Sequence, residues 1–283
     1  MAYMSPKTDA LVAADALKTW VEQREPAVRK PRLADLVAAE IREDILHGRL
    51  TDGSPLPNQD WLSQRFGVSK ASLREALRIL ESEHLVTVRQ GRNGGVIVHA
   101  PSRSAAEYTL GLILQANVVK MGDLADALRE IEPICTALCA QQADRKTFLP
   151  ELWACVENIE RDVAAPAAVY DVIELSLHEA IARHCGNATM VEVAGVLRAL
   201  WASQRPRTLA IAEEKGIGPS KKLREGSAIA HRRIVELIEA GDADVAAASM
   251  RQHHHDTRSV VSPAYYEEPI RVSVANSEAF RGR

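Results

Sequence analysis

Apolar positions recur every three to four residues over most of this chain and alternate in only one short stretch. That contrast predicts a mainly α-helical protein with one small β element. Across Arg32 to His47 the stripe is Leu33, Leu36, Val37, Ile41, Ile45 and Leu46, and Gly48 suits the left-handed position after a helix. In Ser54-Pro55-Leu56-Pro57 each residue before a proline is pushed out of the α region, so this piece reads as extended. Asn58 can cap a short helix to Phe66, Gly67 ends it, and Val68 plugs the turn. Ser69 then caps a helix to about Glu83 whose apolar stripe is Leu73, Ala76, Leu77 and Leu80. Leu85, Val88, Val96 and Val98 flank a turn rich in Gly91, Asn93, Gly94 and Gly95 and predict two strands. Helix, turn, helix and two-stranded wing is the layout of a winged helix-turn-helix, which sets its second helix in the DNA major groove.

Beyond Pro101-Ser102 the pattern is helix after helix: about 104–119, 122–143, 147–163, 167–184, 188–208, 221–240 and 242–258. Gly186-Asn187 and Gly241-Asp242 are breaks, and Pro133 should kink or limit its helix. Short connections favour antiparallel neighbours in a single bundle. Ahead of the reading head, Asp9 to Gln23 has helical spacing and Arg24 to Pro31 is a charged, Pro-containing linker. The chain thus divides into an N-terminal extension and linker (1–31), a winged helix-turn-helix (32–100), an all-α bundle (104–258) and a polar tail (259–283) expected to be flexible.

Composition narrows the function. A chain of 283 residues that is 46% hydrophobic can hold two cores, and with only 4% aromatics these rest on Ala, Leu, Val and Ile. A net charge of −3 gives no nucleic-acid signal by itself, so that reading needs a local patch. One exists: Arg65 to Arg92 carries six basic and three acidic residues. Lys70, Ser72, Arg74 and Arg78 lie opposite the apolar stripe of the second helix, and Gln90 sits at the wing tip. Arginine suits guanine edges; lysine and serine suit phosphates and less selective edges. Cys135, Cys139, Cys155 and Cys185 lack CxxC spacing and read as small core hydrophobes. Met1 to Gln23 lacks the apolar run of a signal peptide, and no stretch approaches the ~20 residues of a membrane span, so a cytoplasmic protein without a membrane partner is expected.

The bundle carries a second chemical signal. Glu174 and His178 are four residues apart on one helix face; His231 shares a stripe with Ile234 and Ile238; His253 shares one with Ala246, Ala247 and Met250. Three imidazoles and a carboxylate on inward stripes would be costly without partners. A shared divalent transition metal (Zn, Ni, Mn or Fe) would satisfy them, although a histidine taken singly is more often a hydrogen-bonded core residue. His254 and His255 rotate away from His253 and are expected at the surface. A His/Glu cluster with an open position could also activate water, which keeps a metalloenzyme as a rival; no separate general base is evident.

The run LPNQDWLSQRFGVSKASLREALRILESEHLVTVRQGRNGGVIV closely resembles the DNA-binding domain of the GntR family of bacterial regulators. The resemblance implies operator contacts by Ser69, Lys70, Ser72 and Arg74, with Gln90 and Gly91 in the wing; the basic patch itself adds Arg65 as a candidate contact. Two positions depart from the family: Asp60 stands where Arg is usual and Lys70 where Arg is commoner. LREIEPICTALCAQQA, ELSLHEAIARHCGN and AHRRIVELIEAGDADVAAASMRQHH look like the helical FCD effector domain of the FadR subfamily. That likeness implies metal ligands at Glu174 (a departure from Asp), His178, His231 and His253, and effector contacts by Arg129 and Asn187. Leu177 replaces an aromatic and should widen the pocket. The implied protein is a homodimeric repressor on double-stranded, near-palindromic operator DNA, its operator affinity controlled by a small carboxylate at the metal. A metal-free sensor of a bulkier ligand such as a fatty acyl-CoA is the alternative.

Overall fold

The computed structural model describes residues 32–89, 91, 94–214, 220–260 and 266–272. It forms two compact units that divide between Ala100 and Pro101.

In the first unit, helix α1 (Leu33–Leu46) buries Ala34, Val37, Ala38, Ile41 and Ile45, α2 (Gln59–Phe66) buries Leu62, and α3 (Lys70–Ser82) buries Leu73, Ala76, Leu77 and Leu80. The Asn58 side chain accepts the Trp61 N–H at 2.8 Å, which fixes where α2 starts. Gly67 ends α2 at φ 64°, a left-handed conformation that glycine adopts without strain, and so turns the chain into α3. Strands β1 (Val86–Arg89) and β2 (Gly95–Val98) pair antiparallel, Val86 opposite Val98 and Val88 opposite Val96. The extended Pro-containing piece lies along β2, with the Leu56 N–H on the Val96 carbonyl and the Val98 N–H on the Ser54 carbonyl. Arg42 of α1 grips Glu83, just past α3, through two hydrogen bonds of 2.8 and 2.6 Å.

The second unit is a bundle of seven helices among the described residues: α4 (Arg103–Ala116), α5 (Met121–Gln141), α6 (Leu149–Arg161), α7 (Ala167–Arg183), α8 (Ala188–Glu214), α9 (Lys221–Ala240) and α10 (Ala243–Val260). Helix α5 is central and packs against α7, α8, α9 and α10. The main core joins Cys135 and Cys139 to Leu152, Ile159, Leu177, Ile181, Ile234, Ile238 and Met250, so the cysteines act as the small hydrophobes expected. Burial pushes the Cys135 thiol up to about 12, with neighbouring Cys185 adding to it, which keeps it protonated. Pro133 is buried within α5, and the helix continues through it to Gln141.

The tail differs from expectation. Tyr266–Val272 lies against the bundle: the Ile270 N–H donates to the Val119 carbonyl, the Met121 N–H donates to the Glu268 carbonyl, and Gln204 bonds the Arg271 backbone on both its amide atoms. Ile270 is 1% exposed and closes a small core with Met121, Leu124 and Leu200. One buried isoleucine anchors a stretch whose overall polarity gave no sign of docking. Positions 259 and 260 belong to the end of α10, whereas 261–265 and 273–283, and the expected helix over Asp9 to Gln23, lie outside the described residues.

Candidate functional site

The reading face is built on α3. Ser69 caps the helix, its Oγ accepting the Ser72 N–H at 3.1 Å, and this orients the first turn outward. Lys70, Arg74 and Arg78 are exposed opposite the buried stripe, and Arg65 is exposed at the end of α2. Arg74 donates to the Lys70 carbonyl at 3.2 Å, which lays its side chain along the same turn. Gly91 is exposed in the wing; Gln90 lies outside the described residues. The two unusual positions of this head meet each other: Lys70 Nζ is 2.5 Å from Asp60 Oδ1, an exposed ion pair joining α2 to α3.

The histidine site lies inside the bundle. His178 of α7, His231 of α9 and His253 of α10 are all buried, and each offers a ring nitrogen within 4.8 Å of the others. His178 and His231 share a hydrogen bond between their Nε2 atoms at 3.0 Å. The His231 and His253 rings lie 4.4 Å apart between centroids. Burial, reinforced by the facing imidazoles, holds both His231 and His253 well below the ordinary imidazole range, so both are neutral and have lone pairs to offer. His231 Nδ1 is buried with no hydrogen-bond partner. Neutral imidazoles that converge, one with an unpartnered nitrogen, form a donor set that fits a divalent transition metal.

Around that set is a buried ionic network. Glu132 of α5 accepts from His178 Nδ1 at 2.6 Å and His254 Nε2 at 2.8 Å on one carboxylate oxygen, and from Arg198 Nη1 of α8 at 2.8 Å on the other. Burial alone would raise the Glu132 carboxyl; the Arg198 guanidinium, then His178 and His254, overcome it and hold it well below the usual carboxylate range. Arg198 also donates to the Leu175 carbonyl at 3.2 Å.

Several sequence expectations change here. Glu174 is not in the donor set: its carboxylate takes the Ser227 hydroxyl, across from α7 to α9. Arg129 does not enter the cavity but pairs with Asp126 and Glu130, each at 3.5 Å, both neighbours on α5. Arg198 is the guanidinium that reaches the buried cluster. Asn187 is exposed and caps α8, accepting the Met190 N–H at 3.1 Å. His254 is not a surface residue, because α10 packs against both α5 and α9 and so turns two adjacent faces inward. Glu132 and Arg198 carried no sequence signal beyond their helical positions. A cavity of about 350 Å³ opens between α9 and α10, lined among others by Ser220, Lys222, Ser227, His253, Asp256 and Thr257, so that of the histidine set His253 lines it.

Comparisons with known proteins agree with this division of the chain. Residues 33–96 match the bacterial regulatory proteins of the gntR family, and residues 123–256 match the FCD domain. RmpR of Mycobacterium gastri, given as an HTH-type transcriptional regulator, is 29% identical over 174 residues, 60% of this chain. Those residues are 62% of that protein, so this chain spans less than two thirds of its length. The HTH-type transcriptional repressor NanR of Cronobacter sakazakii is 24% identical over 235 residues, 81% of this chain and 85% of its own. Among solved structures, Streptococcus agalactiae GntR superposes with a TM-score of 0.61 at 22% identity, over 80% of this chain and 99% of that one, a likeness of fold. No helix among the described residues is long and apolar enough to cross a membrane.

Proposed function

From a chain that belongs to the GntR family of bacterial regulatory proteins and carries an FCD domain, we propose a homodimeric transcriptional repressor whose operator affinity is set by a small carboxylate bound at a metal centre in the helical unit. The observation that carries this reading is the buried trio His178, His231 and His253, with His231 Nδ1 unpartnered and His253 lining a cavity that opens to solvent.

The three imidazoles would hold the metal, and a divalent cation there supplies a Lewis-acidic position for a carboxylate oxygen. The rest follows from side chains. Lys222, exposed at the cavity wall, would offer an ammonium to the ligand carboxylate, with Asp256 lining the same cavity. Ser220, Ser227 and Thr257 offer hydroxyls to an oxygen-rich ligand. A volume of about 350 Å³ suits a small acid better than an acyl chain with a nucleotide, since ligand pockets run from about 300 to 1,000 Å³. A ligand seated between α9 and α10 would favour one arrangement of those helices over another. A few kcal/mol of such preference is enough to shift a two-state equilibrium strongly. On DNA, Ser69, Lys70, Ser72 and Arg74 of α3, with Arg65 and the wing residues Gln90 and Gly91, would contact the operator. Two heads on a dimer would address half-sites about one helical turn apart. The family and its named relatives favour a sensor over a metalloenzyme.

Thermal unfolding of the purified chain, screened against small carboxylates with and without zinc, nickel and manganese, tests the proposal. We expect stabilisation that needs metal and acid together, and loss of operator binding with the same pair. Less than a tenth of an equivalent of metal in chelator-free preparations, with no metal-dependent shift, would remove the metal from the account. His231→Ala should abolish the metal-dependent shift and leave operator binding in place.

A further inference from the structure

His178 faces two candidate donor sets at once. Its Nε2 looks toward His231 and His253; its Nδ1 looks toward Glu132 and His254, which together with His178 form a second group of metal-competent atoms within 4.8 Å. The two sets are not equivalent. On the Nε2 side the facing groups are the imidazoles of His231 and His253, with His231 Nε2 3.0 Å from His178 Nε2. On the Nδ1 side Glu132 already accepts three hydrogen bonds, one of them from the permanently charged Arg198. A cation placed there would displace two protein donors from the carboxylate and sit near a guanidinium.

We propose that Glu132, gripped by Arg198 and His254, is a positioning residue: it fixes the proton of His178 on Nδ1, presents Nε2 as the ligand atom, and so restricts the cluster to one metal ion on the side of His231 and His253. The logic is general. A metal-binding imidazole that donates its other N–H to a carboxylate is held in tautomer and orientation and is made a better donor. Here the carboxylate is itself oriented from two further helices, α8 through Arg198 and α10 through His254. Arg198 also ties to the Leu175 carbonyl, three residues before His178 on α7, so the network returns to the helix that carries the ligand. Consecutive His253 and His254 thereby divide the work: the first faces the ligand set, the second holds the residue that aims it.

The inference rests on the metal reading above, and the experiment separates the two. In the metal-free chain, nitrogen-15 imidazole spectra should show His178 as the Nδ1–H tautomer; Nε2–H overturns the inference whether or not metal binds. Zinc titration of the same chain should saturate at one equivalent. Two equivalents overturn the inference, whereas no binding overturns the metal reading and leaves the tautomer to decide this one. Glu132→Gln should weaken zinc binding about 10–100-fold if it folds, as loss of such outer partners generally does; unchanged affinity in a folded variant counts against it. Because that variant leaves Arg198 buried without a counter-charge, His254 supplies a gentler pair. His254→Ala should weaken zinc, and His254→Gln, which retains an N–H donor for Glu132, should restore most of the loss. Equal affinity in both His254 variants and the parent contradicts the proposed grip.

Discussion

At the scale of single residues, the deciding property of the helical unit is the protonation of buried imidazoles. His231 and His253 are held below the ordinary imidazole value by burial and by their neighbours, so the folded chain leaves them neutral. An unfolded chain begins to protonate histidine near pH 6.5, so it then binds more protons than the folded state, and stability falls with pH. Glu132 works in a different window: its depressed value gives stability present above the unfolded carboxylate value and lost only as pH falls through the folded one. For metal-free protein, the urea midpoint of the helical unit should therefore decline between about pH 7 and pH 5. Each of the two histidines contributes up to about 1.4 kcal/mol per pH unit below its unfolded value. A flat midpoint across that range would contradict the assignment of neutral, buried rings. The three clustered histidines were legible in the sequence because each shares a 3.6-residue stripe with aliphatic core residues. Glu132 was not legible in this way, since nothing local says that a carboxylate will meet an arginine 66 positions away.

At the scale of elements, the recognition helix is legible almost residue by residue: cap, stripe and exposed basic face all follow from local pattern. The Asp60–Lys70 contact is not, because it depends on how α2 crosses α3. An exposed ion pair contributes little to stability, about 0–1 kcal/mol, so its consequence lies on the DNA side. If Lys70 contacts DNA, Asp60 would compete with phosphate for its ammonium, and it adds a negative charge to the exposed face. Asp60→Asn should tighten operator binding and steepen its salt dependence by about 0.9 in the log–log slope, the value for one added phosphate contact on B-DNA. Gel-shift titrations over a range of salt measure both; weaker binding or an unchanged slope would refute the competition. Arg74→Ala should cost about 1–3 kcal/mol of operator affinity and relax base preference at one position, if Arg74 reads a base edge.

At the scale of the whole molecule, the order of elements was readable: a helix-turn-helix with its wing, then a succession of helices with short connections. The breaks at Gly186 and Gly241 fall between helices as expected, both with positive φ. What the sequence did not disclose was the return of Tyr266–Val272 onto α4, α5 and α8, because a single buried residue leaves no period to detect. Ile270→Ala should remove about 2–4 kcal/mol, in the range for large-to-small changes at buried aliphatic sites, and lower the unfolding midpoint of the helical unit while leaving the wing and α3 unaffected. Chemical denaturation followed by a probe in each unit would show whether the loss is confined in this way. The same docking has a meaning for synthesis on the ribosome, where chains are released from their N-terminal end. Met121, Leu124 and Leu200 are made early, yet the isoleucine that covers them is among the last described residues to be translated. The nascent helical unit must therefore keep an apolar seam open until its C-terminal strip emerges, and that interval is when a chaperone would have most to hold.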